Sequence, residues 1–244
     1  MRNFFVFIIS LTPLIGCSFK SDPIKSALKE DRFLRKIIKD KENYEIQILF
    51  TEVSKNSFGQ TEFSDFQFQL NDQKYVYPAS TIKLPITVMT LSKINELRAV
   101  GSNISLKSKI NISLINNKKE IIVKDSITSF QNLIADVFLV SDNSASNVLI
   151  DFIGYNYFNS SMNDAGYANT YLNHKFNPDP FVDSSWIITN IDNDTISSNE
   201  NKITVSASSE ISNLKKGNKR FINGEIINEP LDFISKNRSS LTDM

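Results

Sequence analysis

Ser80 and Lys83 are residues whose types and spacing suit joint chemistry, in the stretch Tyr77-Pro78-Ala79-Ser80-Thr81-Ile82-Lys83-Leu84-Pro85-Ile86. Residues three apart on a helix share a face, so the two side chains can meet. A serine hydroxyl is a weak nucleophile at neutral pH and needs a base to take its proton. A lysine serves as that base when burial or nearby positive charge lowers its pKa. Ile82, Leu84, Ile86, Val88, Met89 and Leu91 leave almost no polar face, which predicts a helix surrounded by protein. Free N–H groups and the positive dipole end at its start suit a developing oxyanion. Spacing alone does not identify a site, because Ser26-Ala27-Leu28-Lys29 and Ser212-Asn213-Leu214-Lys215 repeat it.

A second polar cluster, Ser141-Asp142-Asn143, begins 61 residues (141 − 80) after Ser80. Phe130, Leu133, Ile134, Val137 and Phe138 predict an amphipathic helix over Ser129 to Val140. Helical spacing resumes from Asn147 to Ile153, so the cluster is expected in the turn between two helices. Taken alone it reads as capping and turn chemistry, which these residue types favour.

Composition bounds the rest. The chain has 244 residues, 41% hydrophobic and 22% charged, ordinary for a folded protein with one sizeable core. Lys+Arg and Asp+Glu are both 27, so no basic excess points to nucleic acid. One cysteine excludes an internal disulfide, and one histidine excludes a metal site of several His or Cys ligands. His174 lies in an Asn/Pro stretch without a nucleophile motif nearby and reads as part of a polar network.

Residues 1–17 read as an export signal, from Arg2 through the apolar run Phe4 to Ile15. The ending Leu14-Ile15-Gly16-Cys17 resembles a bacterial lipobox, in which the cysteine is lipidated, and several acyl chains on Cys17 would anchor the protein stably. A polar tether over 18–26 follows. A helix is expected from Ala27 to Lys41, a strand from Tyr44 to Val53 and its hairpin partner from Phe63 to Leu70, across a loop from Ser54 to Glu62. Ile104 to Val123 shows patches of alternation with a turn at Asn116-Asn117. Asp183 to Asn213, rich in Asn, Ser and Asp, reads as a long surface insertion. A hairpin about Asn223-Gly224 is expected over Phe221 to Ile227.

Taken together, Ser-x-x-Lys opening a buried helix and Ser-Asp-Asn between later helices resemble the class A β-lactamases and their penicillin-recognising relatives. The Tyr-Pro-Ala-Ser-Thr lead-in and the helix–strand–strand order before it are similar too, so the likeness covers roughly Ala27 to Gly166. The resemblance implies an α+β fold, an antiparallel sheet flanked by helices beside an all-helical lobe, over residues 27–244. It implies Ser80 as acylated nucleophile and oxyanion donor, Lys83 as a proton carrier, and Ser141 as a relay to the leaving nitrogen. It implies Asn143 as a ligand of the Lys83 side chain and of the substrate amide, with Asp142 bracing the turn. No cofactor or metal is implied.

Two departures qualify the likeness. Class A enzymes activate the deacylating water with a loop glutamate, whereas Gly166 to Pro180 holds none and Asp179 is its sole carboxylate. The Lys-Thr-Gly strand that contacts the substrate carboxylate is also missing, since Lys215-Lys216-Gly217 lacks the hydroxyl residue. Ser240 and Asp243 form a helix-capping pattern at the last residues, which reads as truncation ahead of that strand. The expected protein is therefore a monomeric, lipid-anchored serine hydrolase of the cell envelope acting on β-lactams or D-Ala-D-Ala-like peptides. The alternative is a non-catalytic envelope lipoprotein that keeps the fold as a binding surface.

Overall fold

The computed structural model describes residues 22–115, 121–177, 185–190, 194–196, 214–222 and 224–244. The expected signal segment with Cys17, the turn at Asn116-Asn117, Asp179 and residue 223 lie outside them. The chain divides into two compact units between Leu70 and Asn71.

In the first unit the expected single helix is two, α1 (Pro23–Glu30) and α2 (Arg32–Lys39). Asp31 breaks them, with extended backbone (φ −81°, ψ 127°), and its carboxylate accepts from Leu34 N–H at 2.8 Å. That carboxylate makes Asp31 a better N-cap than an interior helix residue. A short α3 (Lys41–Tyr44) leads into β1 (Ile48–Lys55), antiparallel to β2 (Thr61–Phe68), with Phe50 opposite Phe66. The linking turn is tighter than expected, because Asn56 Oδ1 accepts from the N–H groups of Phe58 and Gln60, each at 3.0 Å.

In the second unit a 3-10 helix (Ala79–Ile82) runs into α4 (Lys83–Ala99). Pro85 explains the division: it has no N–H to give the Thr81 carbonyl, so the regular helix starts late enough to place the proline in its first turn. The sheet order is β4-β3-β5, all antiparallel, from β3 (Lys109–Ile115), β4 (Ile121–Ser129) and β5 (Ser185–Asn190). Helices α5 (Phe130–Val140), α6 (Asn143–Ile153) and α7 (Tyr155–Asp164) complete the apolar body. Its fully buried residues include Ile86, Ile110, Leu114, Phe130, Phe152 and Phe158, with the Phe130 and Phe152 rings 4.5 Å apart. The fold is α+β with antiparallel pairing.

Two expectations are corrected. Strand β5 lies inside the stretch read as a surface insertion, and its Trp186 and Ile188 are buried against β3. Residues two apart on a strand share a face, so Trp186 and Ile188 suffice to bury one side of this short strand. Helix α4 is not enclosed all round, since Leu84 is 53% and Val88 43% exposed on one stripe. At the last residues the capping contact is present, Ser240 Oγ accepting from Asp243 N–H at 3.2 Å. The Asp243 carboxylate turns to Asn169 N–H and the Thr170 hydroxyl, at 2.9 and 3.1 Å.

The remaining pairings are short. Strands β6 (Lys215–Lys216) and β9 (Leu231–Asp232) pair, as do β7 (Arg220–Ile222) and β8 (Glu225–Ile227), the expected hairpin. Lys215-Lys216-Gly217 is thus placed in a two-residue strand.

Candidate active site

Ser80 lies on the 3-10 helix and is exposed. Ala79 before it has φ 48°, a left-handed conformation uncommon for a residue with a Cβ. Such local strain presents the next residue at an abrupt turn. Ser80 N–H stands in the first turn of that helix, where donors have no helical acceptor.

Lys83, one turn further on, is 3% exposed. Its ammonium donates to Ser141 O at 2.5 Å, Asn143 Oδ1 at 2.7 Å, Ser141 Oγ at 3.2 Å and Asp142 O at 3.4 Å. Burial pulls its pKa below the ordinary lysine value of 10.5, and the Asp142 carboxylate opposes that pull. The side chain is turned to the distant motif: among the described residues no hydrogen bond joins it to Ser80. The expected pairing of Ser80 with Lys83 is therefore not made here. The acceptors of the Ser-Asp-Asn turn outcompete one exposed hydroxyl for a buried cation.

The turn is built to receive that cation. Helix α5 ends at Ser141 in the left-handed conformation, φ 54° and ψ 41°, with its N–H bonded to Asp136 O. That reversal leaves the Ser141 carbonyl free for Lys83. Asp142 then caps α6, its carboxylate accepting from Ala145 N–H at 2.6 Å, as a bracing residue should. Ser80, Lys83, Ser141 and Asn143 all belong to the second unit, and the last three are joined directly.

Two residues not singled out in the sequence complete the surroundings. The Phe176 ring lies over Lys83, with Nζ 4.8 Å from its centroid. Asn147 on α6 accepts from Phe176 N–H at 2.8 Å and donates to its carbonyl at 3.2 Å. The backbone carbonyl of Asn177 accepts from Asn143 Nδ2 at 3.0 Å, so the loop meets the site through its main chain. The signal for Asn147 was its place four residues after Asn143, a polar residue amid Val148, Leu149 and Ile150. No pattern marked Phe176. His174 is indeed in a polar network, its Nδ1 donating to Lys175 O at 2.6 Å.

The sequence matches the profile of the beta-lactamase enzyme family over residues 31–224, most of the chain. The chain belongs to the β-lactamase enzyme family. These are serine hydrolases of the class A-like kind, and the motif resemblance pointed to the same group. Among solved structures, a β-lactamase from Sphaerobacter thermophilus DSM 20745 is similar at 17% identity, covering 60% of this chain with a TM-score of 0.35. The match spans 54% of that chain, about half its length. Comparison with curated proteins gives no match.

Proposed function

We propose that this β-lactamase family member is a lipid-anchored serine hydrolase that is acylated on Ser80 by a β-lactam or a D-Ala-D-Ala-like peptide. The observation that carries the reading is the convergence of a buried Lys83 on Ser141 and Asn143 beside an exposed serine on a strained turn. Family membership supports hydrolase chemistry in general; the residue roles are our assignment.

In the proposed cycle Ser80 Oγ attacks the amide carbonyl carbon while its proton passes to the neutral Lys83 amine. Ser80 N–H stabilises the oxyanion. The C–N bond then breaks, the leaving nitrogen takes a proton from Ser141 Oγ, and Lys83 returns one to Ser141 across their 3.2 Å contact. Apo sites often hold such contacts longer or differently directed than the reacting complex, so Lys83 reaches Ser80 once deprotonated. Water finally cleaves the acyl ester. The stretch Gly166 to Pro180 holds no glutamate to activate that water, which favours a slow last step and a penicillin-binding or peptidase-like role. The anchor would be Cys17, on the envelope face of a bacterial membrane, and the protein would act as a monomer without a cofactor.

A second reading, a non-catalytic binding lipoprotein, is favoured by the lack of a Ser80–Lys83 hydrogen bond among the described residues. Incubation with excess penicillin and intact mass measurement separates the two: a penicilloyl adduct on Ser80 supports the enzyme, and no adduct on a folded chain supports the binding module.

A further inference from the structure

Phe176 takes no part in the steps above, yet its buried ring lies over the Lys83 ammonium. The ring is held there by α6. Asn147, itself 1% exposed, bonds both the N–H and the carbonyl of Phe176. The residue before, Lys175, donates to Asp151 Oδ2 at 2.7 Å, and the carbonyl of the residue after, Asn177, accepts from Asn143. Three consecutive loop residues are therefore tied to one helix, the helix that also supplies Asn143 to Lys83.

We propose that Phe176 is a positioning residue that sets the ionisation of Lys83 through the face of its ring. It holds the ammonium charged inside the protein and thereby fixes the pH at which the amine becomes a base. This rests on the reading of Lys83 as the proton acceptor for Ser80. An aromatic face attracts a desolvated cation through its quadrupole, whereas an aliphatic side chain of similar volume excludes water without that attraction. The ring thus offsets part of the cost of burying the charge.

The other groups around Lys83 bound the effect. The turn before α6 contributes the Asp142 carboxylate, which favours the charged form but is also engaged in capping Ala145 N–H. The end of α5 contributes the Ser141 hydroxyl, α6 the neutral Asn143 amide, and the 3-10 helix the Ser80 hydroxyl. Among the described loop residues next to Phe176, Lys175 carries a charge and is paired with Asp151. Phe176 is thus the loop residue whose ring faces the cation directly.

The test is a lysine-selective NMR titration of the full chain in detergent, with the Lys83 signal assigned by its loss in Lys83→Arg. Phe176→Leu, which keeps apolar volume but removes the ring, is expected to lower the Lys83 midpoint by about 0.5–1.5 pH units. Phe176→Tyr, which keeps the ring, is expected to restore the parent midpoint. The pH profile of Ser80 acylation should move with it. Phe176→Met serves in place of Leu if the Leu variant does not fold. A midpoint unchanged in the ring-less variant, or shifted equally in Leu and Tyr, would overturn the proposal. Because the titration is read without substrate, it stands whether or not the parent is acylated, and absence of acylation would count against the catalytic reading alone.

Discussion

Lys83 and Asn143, on different helices, are joined by a 2.7 Å hydrogen bond from the ammonium to the amide oxygen. The opposite end of the same amide donates to Asn177 O at 3.0 Å. Asn143 therefore fixes its own orientation by being used on both sides, and it couples the lysine to the loop. Replacing it with alanine removes a charge-assisted bond and leaves a buried ammonium with fewer acceptors. Asn143→Ala is expected to slow acylation about 10-fold or more and to destabilise the fold by about 1.5–3 kcal/mol, read by stopped-flow reporter hydrolysis and urea unfolding.

Lys83 itself is expected to matter far more to rate. Its removal in Lys83→Ala takes away the proton acceptor, a contribution of about 10²–10⁴-fold for general acid–base catalysis. Acylation measured by intact mass over time should slow by that factor. An unchanged rate would show that another group takes the serine proton.

The pH behaviour follows from the direction of the Lys83 shift. Burial holds its folded pKa below the ordinary value of 10.5, which the unfolded chain regains. Between those two values the unfolded state binds more protons, so stability rises with pH across that window. Below it, lysine is charged in both states and the burial cost is present in full. The stability gap between Lys83→Met and the parent, from urea midpoints, is therefore expected to narrow as pH rises towards 10.5. Acylation should climb over the same range as the amine loses its proton.

Asn177→Glu is expected to convert a persistent acyl-enzyme into one that turns over. The backbone carbonyl of this residue accepts from Asn143, which places this part of the loop at the site. General-base assistance of about 10²-fold would shorten the adduct lifetime accordingly. Mass spectra taken through a chase without substrate check this, and an equally long-lived adduct would mean that the loop is not the source of slow hydrolysis.

Asp151 Oδ2 accepts both from Lys175 Nζ and from the Trp186 N–H, each at 2.7 Å, which ties the loop, α6 and β5 together. The side chains of Lys175 and Asp151 are only 7% and 12% exposed. Asp151→Ala removes the carboxylate from a buried charge and is expected to cost about 3–5 kcal/mol, measured by denaturant unfolding.

How far the sequence reaches can be read from these residues. Ser141, Asp142 and Asn143 were legible as a turn cluster because short polar side chains at helix ends bond the local backbone whatever surrounds them. Phe130, Leu133 and Val137 announced their helix by period, and all three are buried. Long-range partners carry no such periodic signal. The direction in which Lys83 points was decided by carbonyl acceptors some sixty positions away, Ser141 O above all. The ring of Phe176 and the Asp151–Lys175 pair meet through loop geometry that no local spacing encodes. Strand β5 was hidden because Trp186-Ile187-Ile188 is a brief apolar run in a polar stretch. The exposure of Leu84 and Val88 depends on what packs against α4, which the composition of the helix cannot reveal.

If Ser80 is a working nucleophile, intact mass after exposure to excess penicillin reveals it. A mass increase of one penicilloyl group is expected, absent in Ser80→Ala and persisting for hours in the parent. Since Ser80 is exposed and its side chain makes no hydrogen bond among the described residues, the alanine variant should fold as stably as the parent. No adduct on a folded parent chain, or an adduct that survives in Ser80→Ala, would mean that Ser80 is not the nucleophile.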